Sequence, residues 1–211
     1  MLLIGYGSMA FATETNHKNQ DDVRRTALLK QFLADSAKQR EQKLGDQHNI
    51  VQQVSAKVEK LTDATGLVYI GATIESNKLA PYLRQMIGVL GTEKFALYRA
   101  NQADRDNHSF HLTLINPFEL QKLQKPVQLG QSIAITLQGL GMAKAPTSNS
   151  QAKAVLHQSY FVVASSTDGE FYRQQYALSA KHFHVTLGFN PSDVFGVDKS
   201  SKALVYANKV N

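Results

Sequence analysis

The stretch "KHFHVTLGF" occupies residues 181–189, and "HSFHLTLINPF" occupies 108–118. Both contain Phe-His-[Leu/Val]-Thr-Leu, once at 110–114 and once at 183–187. In a β-strand, residues i and i+2 share a face. His111 therefore goes with Thr113, and His184 with Thr186. Phe110, Leu112 and Leu114 turn the other way, as do Phe183, Val185 and Leu187, and supply what a core needs. Each strand so presents one imidazole and one hydroxyl on a face whose reverse side is buried. Groups on rigid elements are held more accurately than groups on loops.

Outward from these strands, the rest of the chain is mixed. "LVYIGATI" (67–74), "SIAITLQGLGMA" (132–143) and "SYFVVAS" (159–165) have the β-branched and aromatic enrichment of strands. "NKLAPYLRQMIGVLG" (77–91) reads as a helix with Pro81 near its first turn. "DGEFYRQQYAL" (168–178) reads as a second helix, and "KAPTSNSQAK" (144–153) as a polar loop. The order after residue 66 is β-α-(β)-β-β-β-α-β, with one bracketed strand, and such mixing predicts an α+β fold. Upstream, residues 21–44 carry Val23, Leu28, Leu29, Phe32, Leu33 and Ala37 near a period of 3.6. Residues 47–62 place Ile50, Val51, Val54, Val58 and Leu61 on one side, which predicts another helix. Residues 13–65 are thus expected to form an α-helical extension ahead of a domain at 66–211.

Composition narrows the chemistry. The chain has 211 residues, enough for one generous domain or two packed lobes. It lacks cysteine, which excludes disulfides, thiolate catalysis and Cys-based zinc sites. Its 23 basic and 17 acidic residues give a net charge of +6, compatible with a phosphate-bearing partner. No apolar run is long enough to span a membrane. Residues 2–12 are uncharged and end in Ala10-Phe11-Ala12, which fits the remnant of a signal peptide (residues 1–12) and a mature chain starting near Thr13. Export to the periplasm or medium is then expected, and a cytoplasmic location otherwise.

Two histidine–threonine strands 73 positions apart predict a symmetric site between related lobes. One neutral imidazole can remove a proton from an attacking oxygen while the other, protonated, donates to the leaving oxygen. Imidazole suits both tasks because its ordinary pKa is about 6.5. Threonine hydroxyls can donate to phosphoryl oxygens where charge accumulates. This scheme uses no metal and no cofactor.

The paired motifs resemble the 2H phosphoesterase superfamily over roughly residues 66–197, and "HFHVTLGFNPSDVFGV" (182–197) is most similar to its Swiss Army Knife RNA-repair-like branch. The resemblance implies a bilobal α+β fold, with two antiparallel-rich sheets flanking a water-filled cleft. It implies metal-independent cleavage of phosphodiesters, commonly 2′,3′-cyclic phosphates or 2′-5′ linkages in nucleotides and short RNA ends, with no obligate protein partner. It makes His111 and His184 the acid–base pair and Thr113 and Thr186 the phosphate-binding hydroxyls. Many members carry a basic residue shortly after the second motif; here Gly188-Phe189-Asn190 follows.

Ser109 and His182 share faces with the two histidines and are further cleft-lining candidates. Tyr69, Tyr98 and Tyr160 are candidates for stacking on a base. Two other readings compete. In one, the protein binds nucleotides or RNA ends without cleaving them. In the other, His182 and His184 ligate zinc or copper.

Overall fold

Every apolar residue of the two motifs lies where the alternation predicts. Phe110, Leu112, Leu114, Phe183, Val185 and Leu187 all belong to one hydrophobic core. The computed structural model describes residues 48–146 and 155–206. The expected leader at 1–12 and the helix over 21–44 lie outside the described residues.

Six strands make up the sheet: β1 (Gln52–Thr62), β2 (Val68–Thr73), β3 (His111–Ile115), β4 (Ser132–Pro146), β5 (Leu156–Ser165) and β6 (His184–Asn190). Helices α1 (Ser76–Leu90) and α2 (Thr92–Arg105) join β2 to β3. The single turn α3 (Pro117–Leu120) follows β3, and α4 (Thr167–Gln174) joins β5 to β6. The strands pair in the order β1-β2-β3-β6-β5-β4, and β1 closes on β4. All pairings are antiparallel.

The α+β class is as expected, but the sheet differs from the two separate ones implied by the resemblance. One closed sheet forms because β3 hydrogen-bonds to β6 and β1 to β4. Its two halves, β1-β2-helices-β3 and β4-β5-helix-β6, have the same order of elements. They occupy matching positions around the sheet, so β3 corresponds to β6.

Residues 52–62 form a strand where the spacing predicts a helix. Val54 and Val58 are four apart, a separation shared by one helical turn and two strand repeats. Gln52, Val54, Ala56 and Val58 alternate inward, and pairing to both β2 and β4 decides the matter. The boundary expected at 65/66 therefore falls inside the β1–β2 hairpin. The bracketed strand is also replaced: residues 92–105 form α2, with Glu93 in its first turn and Arg105 in its last, as the helix dipole favours. β4 runs on to Pro146, into the stretch expected to be loop.

Local signals fix the other ends. Asn116 and Glu119 form a capping box at α3, and Ser166 caps α4 through the Gly169 N–H at 2.9 Å. The helices bury Leu79, Tyr82, Met86, Tyr98 and Tyr172 against the same face of the sheet as Leu112 and Val185. Burying a side chain of this size contributes about 1.5–3 kcal/mol. At Gly188 a bulge in β6 brings the strand against the α1–α2 pair. A Cβ there would lie 2.7 Å from the Met86 methyl and 2.9 Å from the Tyr98 carbonyl oxygen. That face is full, so the histidine face is the one left for a ligand.

Candidate active site

β3 and β6 meet at one register pair, Leu112↔Val185. Carrying that antiparallel register one residue either way sets His111 opposite Thr186 and Thr113 opposite His184. The four side chains share the face opposite the core, in alternating order around a square. Diagonal neighbours in such a pair lie about 7–8 Å apart at the backbone, and the two histidines are diagonal. His111, Thr113 and His184 are half-buried, while Thr186 is buried. Among the described residues neither threonine hydroxyl has a hydrogen-bond partner.

His184 is held on both ring nitrogens. Its Nδ1 lies 3.0 Å from the His182 carbonyl oxygen, which only accepts, so Nδ1 carries the proton. Its Nε2 lies 3.2 Å from Lys199 Nζ and accepts from that ammonium. The Phe161 ring packs edge-on, with centroids 5.6 Å apart. Burial first, and the Lys199 charge second, push the His184 pKa well below its ordinary value. His111 is set by Tyr69, whose hydroxyl lies 3.2 Å from Nδ1 and whose ring centroid is 4.9 Å away. Burial depresses His111 as well, opposed by the Asp106 charge.

A chain of alternating charges runs beside the pair. Arg105 grips Asp106 through Nε at 2.7 Å and Nη2 at 2.8 Å, and its Nη1 reaches Asp193. Asp193 accepts from the Ser159 hydroxyl at 2.6 Å and from the Val194 N–H at 2.8 Å. Its Oδ1 lies 3.5 Å from Lys199 Nζ. Although burial opposes it, Lys199 and Arg105 hold the Asp193 carboxyl down to about 2. Burial pulls Lys199 below the usual lysine range, and Asp193 resists that shift.

The structure thus supplies the cation that is absent just after the second motif. Lys199 arrives from the segment beyond β6, eleven positions after Gly188 in the sequence. Asp193 and Lys199 lie in a loop, which has no periodicity to read, while Arg105 ends α2 and Ser159 sits within β5, where nothing in the local pattern marks either for the site. Their one signal was Asp193 in the stretch "NPSDVFGVDKS" (190–200), a carboxylate and a lysine downstream of the motif.

The secondary candidates divide. His182 lines a pocket beside Lys199, but its Nδ1 faces Asp198 at 3.3 Å. Ser109 turns away, its hydroxyl donating to the Asp106 carbonyl oxygen at 2.7 Å. Tyr69, Tyr98 and Tyr160 are buried, so none offers an open face for a base. Phe195 does: it is 76% exposed, and Lys199 Nζ lies 5.9 Å from its ring centroid. The donor set does not suit a His-ligated metal. His182 and His184 serve different partners, and an ammonium faces His184 Nε2 where a cation would sit. Among the described residues no group of three or more His, Asp or Glu converges as a metal site.

Searches of curated proteins and of solved structures found no significant match. The family model of the Swiss Army Knife 2H phosphoesterase domain matches residues 79–195, more than half of the 211-residue chain. That span takes in both strands and the Asp193 that anchors the charged chain beside them. The chain belongs to the 2H phosphoesterases, in their Swiss Army Knife branch.

Proposed function

We propose that the protein hydrolyses phosphodiesters without a metal, acting on 2′,3′-cyclic phosphates or 2′-5′ linkages of nucleotides and short RNA ends. The observation that carries this reading is the square of His111, Thr186, His184 and Thr113 across the β3–β6 pair. Two imidazoles about 7–8 Å apart at the backbone can each reach one phosphoryl group from opposite sides. Two hydroxyls without partners among the described residues lie between them to donate to its oxygens.

The tautomers suggest a direction. His184, with Nδ1–H fixed by the His182 carbonyl, offers its Nε2 lone pair and acts as the base. A phosphoryl oxygen arriving beside Lys199 gives the ammonium a stronger acceptor than Nε2 and releases that lone pair. A water then attacks phosphorus, and its proton passes to His184. The P–O bond to the leaving oxygen breaks, and that oxygen takes a proton from His111. The phosphodiester's negative charge favours the protonated form of His111 that this step needs. The exposed ring of Phe195 near Lys199 supports a substrate carrying a base.

The test is turnover of 2′,3′-cyclic nucleotides and 2′-5′ oligonucleotides with EDTA present. Loss of either histidine, His111→Ala or His184→Ala, is expected to lower the rate at least about 10²-fold. Wild-type-like turnover in the double variant refutes the assignment. Tight binding of the same compounds with no turnover favours the non-catalytic binder instead.

A further inference from the structure

A pocket of about 260 Å³ is lined in part by Lys199, whose ammonium also lies 5.9 Å from the Phe195 ring centroid. Its walls include Ser165 at the end of β5, Thr167 at the start of α4, Lys181 and His182 before β6, and Lys199 and Ser201 beyond it. Lys199 belongs to both places, because the ammonium that reaches His184 Nε2 stands on a side chain bordering this pocket. Lys199 is thus the residue that the pocket and the histidine pair have in common.

Two lysines contribute to one small space, and burial works against both. Lys181 is pulled down to about 8, burial first and then the charges of Arg173 and Lys199, with Glu119 resisting. Its Nζ lies 4.0 Å from Glu119 Oε2. The lining also holds one carboxylate, Glu170, which accepts from the Lys181 backbone N–H at 3.3 Å. Hydroxyls of Ser165, Thr167 and Ser201 supply further donors. At about 30 Å³ per water, the volume admits roughly nine waters. That exceeds a lone phosphoryl group and falls short of the ~300–1,000 Å³ that encloses a whole drug-sized ligand.

We propose that this pocket is a second anion subsite, taking a terminal phosphomonoester of the substrate and the sugar that bears it, while the base stays outside against Phe195. The proposal rests on the phosphodiesterase reading, and it narrows the substrate to one that carries a second phosphate.

The experiment compares adenosine 2′,3′-cyclic phosphate with its 5′-phosphorylated form, using wild type, Lys181→Gln and Ser201→Glu. Wild type is expected to show a kcat/KM about tenfold higher for the 5′-phosphorylated compound, through KM. In each variant that ratio is expected to fall to within about twofold of unity. Equal kcat/KM for the two compounds in wild type overturns the subsite, and so does a preference kept by both variants. Binding is read separately by calorimetry, titrating adenosine 3′,5′-bisphosphate into the His111→Ala/His184→Ala protein with and without Lys181→Gln. About tenfold weaker binding with Lys181→Gln supports the subsite, and equal binding overturns it. Absence of turnover with binding that depends on Lys181 sinks the catalytic reading alone. Turnover without a 5′-phosphate preference sinks the subsite alone.

Discussion

Asp193→Asn tests the charged chain that frames the site. Asp193 is 8% exposed and faces two cations, Arg105 and Lys199, besides the Ser159 hydroxyl and the Val194 N–H. Asparagine keeps the volume and can still accept from Ser159, but it removes the charge between the buried Lys199 and the half-buried Arg105. Breaking a buried ion pair by removing one partner costs about 3–5 kcal/mol. The carboxyl gives a second route to the magnitude. Its pKa falls from 3.8 in the unfolded chain to about 2 in the fold, and at 1.36 kcal/mol per unit this amounts to about 2 kcal/mol. Because the folded value is the lower one, this stability is fully present above about pH 4 and is lost as pH falls through about 2. Urea unfolding at pH 7 should therefore place the variant about 2–5 kcal/mol below wild type. The gap should narrow as both proteins are taken from pH 4 to pH 2. A difference under about 0.5 kcal/mol at pH 7, the size of an ordinary surface substitution, refutes the reasoning. So does a gap that stays constant across the acid range.

Three further outcomes follow from the same geometry. Lys199→Met removes a charge that depresses His184, so the acid limb of the kcat/KM profile should move to higher pH; a limb that stays put or moves down contradicts the base assignment. Phe195→Ala should raise KM for nucleotide substrates about tenfold while leaving kcat nearly unchanged, as expected for a lost stacking surface, and steady-state kinetics reads it. Gly188→Ala pushes a methyl against the Tyr98 carbonyl, which cannot swing aside as a side chain can, and should cost about 1–3 kcal/mol in thermal or urea unfolding.

The sequence was legible where alternation and chemistry coincide. Leu112 and Val185 alternate with a histidine and a threonine on either side, so the strand, its buried face and its candidate reactive face could be read together. At β1 the spacing of Val54 and Val58 satisfied two periodicities, and partners far along the chain chose between them. Helix α2 escaped because its sequence, "TEKFALYRANQADR" (92–105), carries a weak apolar stripe that buries little besides Tyr98 and Gln102. The charged chain was invisible for another reason. Arg105 ends a helix, Asp193 and Lys199 sit in a loop, and only the folded backbone brings them together.

The matching halves of the closed sheet bear on how the polypeptide assembles. Each half alone leaves the bonding edges of two strands bare, and such edges invite unwanted pairing with other chains. Those edges are covered only when β3 finds β6 and β1 finds β4, contacts between segments far apart in the chain. A half-made molecule thus has neither a protected edge nor a working centre. The β3–β6 seam brings the two motifs together, and the β1–β4 seam covers the remaining open edges, so a joined site and a protected sheet both require the two halves to meet.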